Sequence, residues 1–368
     1  MVNEKRLLDT FIEYVQIDSE TKNEKAMGEK LVADLKALGF EVQTDNAGAA
    51  FGSNGFNVHG YKTGTIAGEP MIQCAHMDTV KPGNGIKPII TDGVIHTDGS
   101  TILAGDDKSG IAAIMEAARV LNEQDIPHRD IEVLFTIGEE GGMNGAKNMD
   151  YSMLKGNKAF VYDSGGDIGK VTTCGPGQIK ITATVNGRTA HAGLAPEEGI
   201  SAIQVAAKAI AKMNLLRIDE ETTCNIGTIK SEFATNIVPD KCEIITEVRS
   251  RNIDKLNAHA AHIKECLQST CDEMGAVLDV DMVTNYVSFA VENDDPLVKM
   301  VEDASNRLGY NFSTAKGGGG SDANVMALHG IKAIVLGTGM TKVHTTAETL
   351  KVEDLNKCAE LILDILTH

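Results

Sequence analysis

The feature that most constrains the fold of this chain is a set of short, mostly apolar runs separated by stretches of helical period. Residues 131–137 (IEVLFTI) are such a run, and so are 71–75 (MIQCA), 159–162 (AFVY) and 332–336 (KAIVL). Runs this short, rich in β-branched and aromatic residues, read as strands buried on both faces. Between and around them, residues 4–17, 24–38, 109–121 and 352–366 carry apolar positions at helical spacing, and Gly39 closes the second of these. Strands alternating with helices predict an α/β layered domain with a largely parallel central sheet.

The rhythm changes in the middle of the chain. Residues 179–185, 223–229, 243–249 and 277–287 read as strands, with helices over 199–213 and 253–271. That order is β-α-β-β-α-β, the split arrangement of ferredoxin-like α+β domains. The α/β pattern resumes from Pro296. The expectation is a discontinuous catalytic domain (1–176 and 289–368) interrupted by an inserted lid or dimerisation domain over 177–288. A chain of 368 residues has the length for about two such cores.

Composition narrows the function classes. A net charge of −18 argues against nucleic acid or an anionic membrane as the main partner. The opening MVNEKRLLDTFIEYV mixes both signs of charge and lacks the apolar centre of a signal peptide, and no uncharged apolar stretch approaches bilayer length. Seven cysteines are odd in number and include no C-x-x-C, against a disulfide framework or a thiolate zinc site. A reducing cytoplasm is the expected setting.

The chemistry gathers where apolar runs end. In QCAHMDTV, His76 and Asp78 are two apart and share a face of an extended segment, so the carboxylate can take the imidazole N–H. In ILAGDDKSG, Asp106 and Asp107 precede the helix at Ser109, where either could equally cap it. FTIGEEGG sets Glu139 and Glu140 side by side, FVYDSGG places Asp163, and TKVHTTAETL places His344. Ligand sites in α/β sheets lie at the carboxyl ends of strands. The two histidines three apart, His259 and His262, have no carboxylate partner in the pattern and read as ordinary helix positions.

Taken in order, HMDTV, GDDKSG, GEEGG, YDSGG and VHTTAE resemble the motifs of the dinuclear zinc peptidases, a group that includes peptidase T, glutamate carboxypeptidase and aminoacylase. The phrase HTDGSTILAGDDKSGIAAIMEA is most similar to the peptidase T branch. GRTAHAGLAPEEGISAI, ATNIVPDKCEI, EVRS and GGGGSDAN resemble its later motifs, so the likeness spans nearly the whole chain. It implies that His76 and Asp163 bind one zinc and Glu140 and His344 a second, with Asp106 bridging and Asp78 orienting His76. Manganese and cobalt are compatible with the same ligand types. It further implies a cis peptide between Asp106 and Asp107, and Glu139 as the general base. Successive side chains of an extended segment diverge, which lets the adjacent glutamates do different jobs. His191, Asn236, Arg249, Gly319, Gly320 and Ser321 match substrate contacts, and the inserted domain implies a homodimer. The expected activity is a metal-dependent aminopeptidase acting on short peptides such as tripeptides. The alternatives are an N-acyl amino acid deacylase or carboxypeptidase of the same fold, or a non-catalytic peptide-binding or assembly protein.

Overall fold

The computed structural model describes residues 1–368, which divide into two compact units. The first comprises Met1–Cys174, Ala290–Gly317 and Ser321–His368; the second comprises Gly175–Phe289 with Gly318–Gly320.

In the first unit the apolar runs form the middle of one sheet. Ile131–Thr136, Met71–His76, Lys158–Ser164 and Lys332–Gly337 lie side by side in that order, all parallel. Every residue of Ile131–Thr136 and Met71–His76 is buried, as expected for strands covered on both faces. The parallel arrangement brings the carboxyl ends of all four strands to one edge. Beyond them the pairing turns antiparallel: Glu41–Thr44 and Val58–Lys62 extend one side, and Lys170–Gly175 the other. Val58–Lys62 (VHGYK) is hard to see in the sequence because a glycine and two polar residues break its pattern. Gly60 lets two neighbours come close: a Cβ on it would stand 3.2 Å from Leu35 and 3.3 Å from Phe40.

The helix Gly105–Glu123 is buried almost all round, which explains its AAIMEAA centre. Glu116 within it is fully buried, and its carboxylate pairs with the Arg6 guanidinium at 2.8 Å. The sequence pattern starts this helix at Ser109; the structure opens it at Gly105, with Asp106 and Asp107 in non-helical conformations and the peptide between them cis.

The second unit has five antiparallel strands ordered Leu216–Arg217, Thr222–Lys230, Lys241–Ser250, Gly177–Asn186, Val277–Tyr286. Its helices Ala202–Lys212 and Ile253–Met274 pack on the sheet. Lys241–Ser250 alternates buried and half-buried residues with period two, which marks a sheet covered on one face. Ile181, Ala183, Val185, Ile244, Val248, Leu256, Ile263 and Leu267 form its core. The first of its helices begins at Ala202 rather than Gly199, because the Ser201 side chain caps it by accepting the Gln204 N–H.

Candidate metal centre

Three strand ends, one helix mouth and one loop bring the acidic and imidazole residues of the first unit together. His76 ends its strand, Asp163 lies near the end of Lys158–Ser164, and Glu139 and Glu140 follow Ile131–Thr136. Asp106 stands at the mouth of the buried helix, and His344 lies beyond Lys332–Gly337 with φ of 62°.

His76 Nδ1 lies 3.0 Å from the Asp78 main-chain oxygen, which makes it the protonated nitrogen and leaves the Nε2 lone pair free. That lone pair faces Asp106 Oδ1 at 3.0 Å and Asp163 Oδ1 at 3.7 Å. His344 Nε2 lies 3.0 Å from Glu140 Oε2 and 3.3 Å from Asp106 Oδ2. Asp106 therefore sends one carboxylate oxygen to each imidazole. Side-chain donors of His76, Asp106 and Glu140 converge within 4.8 Å of one another, as do those of His76, Glu139 and Asp163.

Electrostatics make this cluster a site for cations. Burial opposes charge on His76, yet Asp106, Asp163 and Asp78 push its pKa well above the ordinary value. Contacts with Asp106 and Glu140 push His344 up to about 10. Burial raises Asp163 to about 7 and lifts Glu139 well above the carboxylate range, with Asp163 adding repulsion to the latter. Glu140 Oε1 is buried with no hydrogen-bond partner in the protein. A cluster that draws positive charge onto both imidazoles, with a buried oxygen left unpartnered, fits divalent cations in place of those protons. Imidazole and carboxylate donors suit zinc, manganese or cobalt.

Asp78 meets His76 more closely through its main chain than through its carboxylate. His76 takes the Asp78 carbonyl, while the nearest carboxylate oxygen stands at 3.5 Å. The Asp78 carboxylate instead accepts the N–H groups of Glu139 (2.8 Å) and Glu140 (3.2 Å), and the Thr21 hydroxyl (2.8 Å). One fully buried aspartate thus holds the glutamate turn against the His76 strand. The turn also needs Gly138, whose φ is 62° and where a Cβ would meet the Phe51 ring at 2.7 Å.

Other buried polar residues around the cluster carry no sequence motif of their own. Glu348 accepts three main-chain N–H groups, and burial raises its carboxyl to about 7. Its only signal is its place in the VHTTAE stretch. Lys108 is fully buried and donates to the Ile17 carbonyl at 2.7 Å; burial lowers its ammonium pKa to about 7. Asp322 accepts the Thr136 hydroxyl at 2.5 Å. Asp107 accepts the His76 N–H at 3.3 Å through Oδ2.

The remaining residues singled out in the sequence lie elsewhere in the chain. His191, Asn236, Arg249, Gly319 and Gly320 belong to the second unit, and Ser321 to the first. The His191 and Asn236 loops adjoin: Ala192 N–H donates to the Asn236 carbonyl at 2.9 Å, and His191 Nδ1 accepts the Gly193 N–H at 3.2 Å. Arg249 pairs with Glu247 at 2.8 Å. A Cβ on Gly320 would meet the Tyr286 ring at 2.6 Å. Ser321 is the N-cap of the helix Asp322–Leu328.

Comparison with known proteins places the chain in a family. The family model described as "Peptidase family M20/M25/M40" matches residues 73–368. The uncharacterized protein YqjE of Bacillus subtilis is 42% identical over 366 residues, covering 100% of this chain and 99% of its own. Among solved structures, an aminopeptidase PepT from Bacillus cereus is 44% identical with a TM-score of 0.94, covering 100% of this chain and 98% of that one. A tripeptidase from Staphylococcus aureus is 38% identical with a TM-score of 0.97 and the same coverage.

Proposed function

The chain belongs to peptidase family M20/M25/M40, and on that premise we propose that it is a dinuclear aminopeptidase acting on short peptides, tripeptides foremost. A metal-dependent hydrolase with a peptide substrate is the coarser statement that membership carries. The aminopeptidase and tripeptide assignments draw on the two similar solved proteins, which cover the chain end to end.

The observation that carries the dinuclear reading is the split carboxylate of Asp106, 3.0 Å from His76 Nε2 and 3.3 Å from His344 Nε2. His76 and Asp163 would hold one cation, Glu140 and His344 the other, with Asp106 shared and zinc the metal we favour. When bound, such a pair lowers the pKa of water and draws charge from the scissile carbonyl.

The chain's own residues do the rest. Glu139 accepts the proton of the attacking water and delivers it to the leaving amine. Asp78 keeps that glutamate in place through its main-chain N–H. His191, Asn236, Arg249, Gly319, Gly320 and Ser321 are the proposed substrate contacts. We read the second unit as a lid and dimerisation domain, with the edge strand Val277–Tyr286 available for pairing. No helix is long and apolar enough to cross a membrane, and all seven cysteines are free, which suits a reducing cytoplasm.

The test is a comparison of end groups. A tripeptide, its N-acetylated form and its C-amidated form are offered to the zinc-loaded protein. Cleavage of the free and the amidated peptide, with the acetylated one spared, is expected. Preference for the acetylated substrate would replace the aminopeptidase reading with a deacylase.

A further inference from the structure

Residues 103–106 lead into the bridging aspartate and present a row of buried main-chain donors. The N–H groups of Leu103 and Ala104 both reach Glu348 Oε2 at 2.9 Å, and the N–H of Asp106 reaches Oε1 at 3.0 Å. Ala104 adopts a left-handed conformation (φ 62°, ψ 31°), and such a backbone gathers successive N–H groups into an anion-binding concavity. Here the anion belongs to the chain itself. Glu348 is 1% exposed.

Gly105 supplies an independent observation. A Cβ built on it would lie 3.0 Å from Glu348 Oε1, and its next neighbour, Met340, stands back at 3.8 Å. The absent side chain leaves room for this carboxylate and for little else. Glu348 is also four residues from His344, and its own N–H donates to the Thr345 carbonyl at 3.1 Å. One carboxylate therefore joins the segment carrying Asp106 to the segment carrying His344.

We propose that Glu348 is a positioning residue for the metal centre. Held in the concavity of residues 103–106, it fixes Asp106 relative to His344 and so sets how tightly the cation between them is bound. Asp106, Glu140 and His344 supply the donor atoms; Glu348 touches neither cation nor substrate. A glutamine in its place keeps the shape but gives up the charge and turns an NH₂ toward at least one main-chain donor. The inference rests on reading Asp106 as the shared ligand.

The experiment is a zinc titration of metal-free protein, with affinities read by competition against a chromophoric chelator. The proteins are the wild type, Glu348→Gln, Gly105→Ala, Glu348→Gly with and without formate, and the double variant of Gly105→Ala with Glu348→Gly. Far-UV circular dichroism and a thermal melt of each metal-free protein establish that it is folded. Wild type should bind two equivalents. Glu348→Gln should bind one of them about 10–100-fold more weakly, the range usual for a residue that orients a ligand. Gly105→Ala should weaken the same equivalent, and the double variant should be no worse than Glu348→Gly, because there the Cβ has lost its one tight neighbour. Formate should restore affinity to Glu348→Gly by occupying the vacated concavity. Unchanged affinity in a folded Glu348→Gln, additive losses in the double variant, or no rescue by formate overturns the proposal. Should Glu348→Gln fail to fold, Gly105→Ala, which keeps the carboxylate, decides it alone: unchanged affinity overturns. A wild type that binds no zinc overturns the metal-centre reading instead.

Discussion

Two pairs of imidazoles in this chain stand in opposite circumstances. On the helix Ile253–Met274, His259 Nε2 lies 3.0 Å from the Asn214 carbonyl, and His262 Nε2 accepts the Asn214 N–H at 3.3 Å. The two rings share one turn residue, and each facing nitrogen meets a group suited to a neutral imidazole. At the candidate metal centre, His76 and His344 each turn Nε2 toward two carboxylates, which draw positive charge onto both rings. Spacing along a helix made the first pair tempting; the partner of each nitrogen separates them. A neutral imidazole between main-chain groups pins a turn, and one crowded by acids marks a place for positive charge, a proton or a metal cation.

The largest expected effect follows from removing that cation. Exhaustive chelation should take peptidase activity to background and added zinc should restore it, since water activation and oxyanion stabilisation have no other source among these side chains. Activity persisting in protein shown metal-free by elemental analysis would erase the distinction between the two pairs.

Next comes the division between the adjacent glutamates. Glu139→Gln should lose about 10²–10⁴-fold in kcat, the usual contribution of a general base, while retaining both metal equivalents. Glu140→Gln should instead lose metal. Wild-type turnover in Glu139→Gln would remove the base from the mechanism.

A direct comparison of the histidine pairs comes third. His344→Ala should lower zinc stoichiometry by one equivalent, and His262→Ala should leave it unchanged. Equal losses in both would mean that the helix pair also binds metal.

The smallest effect concerns His259. His259→Gln should destabilise the protein to urea by about 1 kcal/mol, the ordinary value of one hydrogen bond. Burial holds the His259 pKa below its usual 6.5. From the folded value up to 6.5 the unfolded chain therefore binds more protons, so stability is whole above that window and falls as pH drops through it. The His259→Gln variant should show a shallower decline, measured as urea midpoints between pH 7.5 and 5. Parallel declines would mean that the ring titrates as it does in the unfolded chain.

Much of the candidate metal centre can be read from the sequence, and the reason is local. His76, Asp106, Glu139, Glu140 and Asp163 follow apolar runs or open a helix, and parallel strands necessarily end at a common edge. The period-two pattern of residues 243–249 likewise announces a one-faced antiparallel sheet. The strand Val58–Lys62 escapes detection because its buried polar residue, His59, is matched to Glu132 on the neighbouring strand, and Gly60 answers to Leu35 and Phe40.

What the sequence alone determined, then, is the pair of secondary-structure rhythms and the order of acids and imidazoles that end the strands, since both depend on residues close together in the chain. Only the tertiary structure decided how those groups are partnered. It gave the Asp78 carbonyl to His76 and the Asp78 carboxylate to the glutamate turn. It closed residues 103–106 on Glu348, across 245 positions of sequence in the case of Leu103. It also matched His259 and His262 to the two main-chain groups of Asn214. Every such partner is a main-chain N–H or carbonyl, the same in almost every residue, so the one-dimensional sequence carries no sign of which will be used.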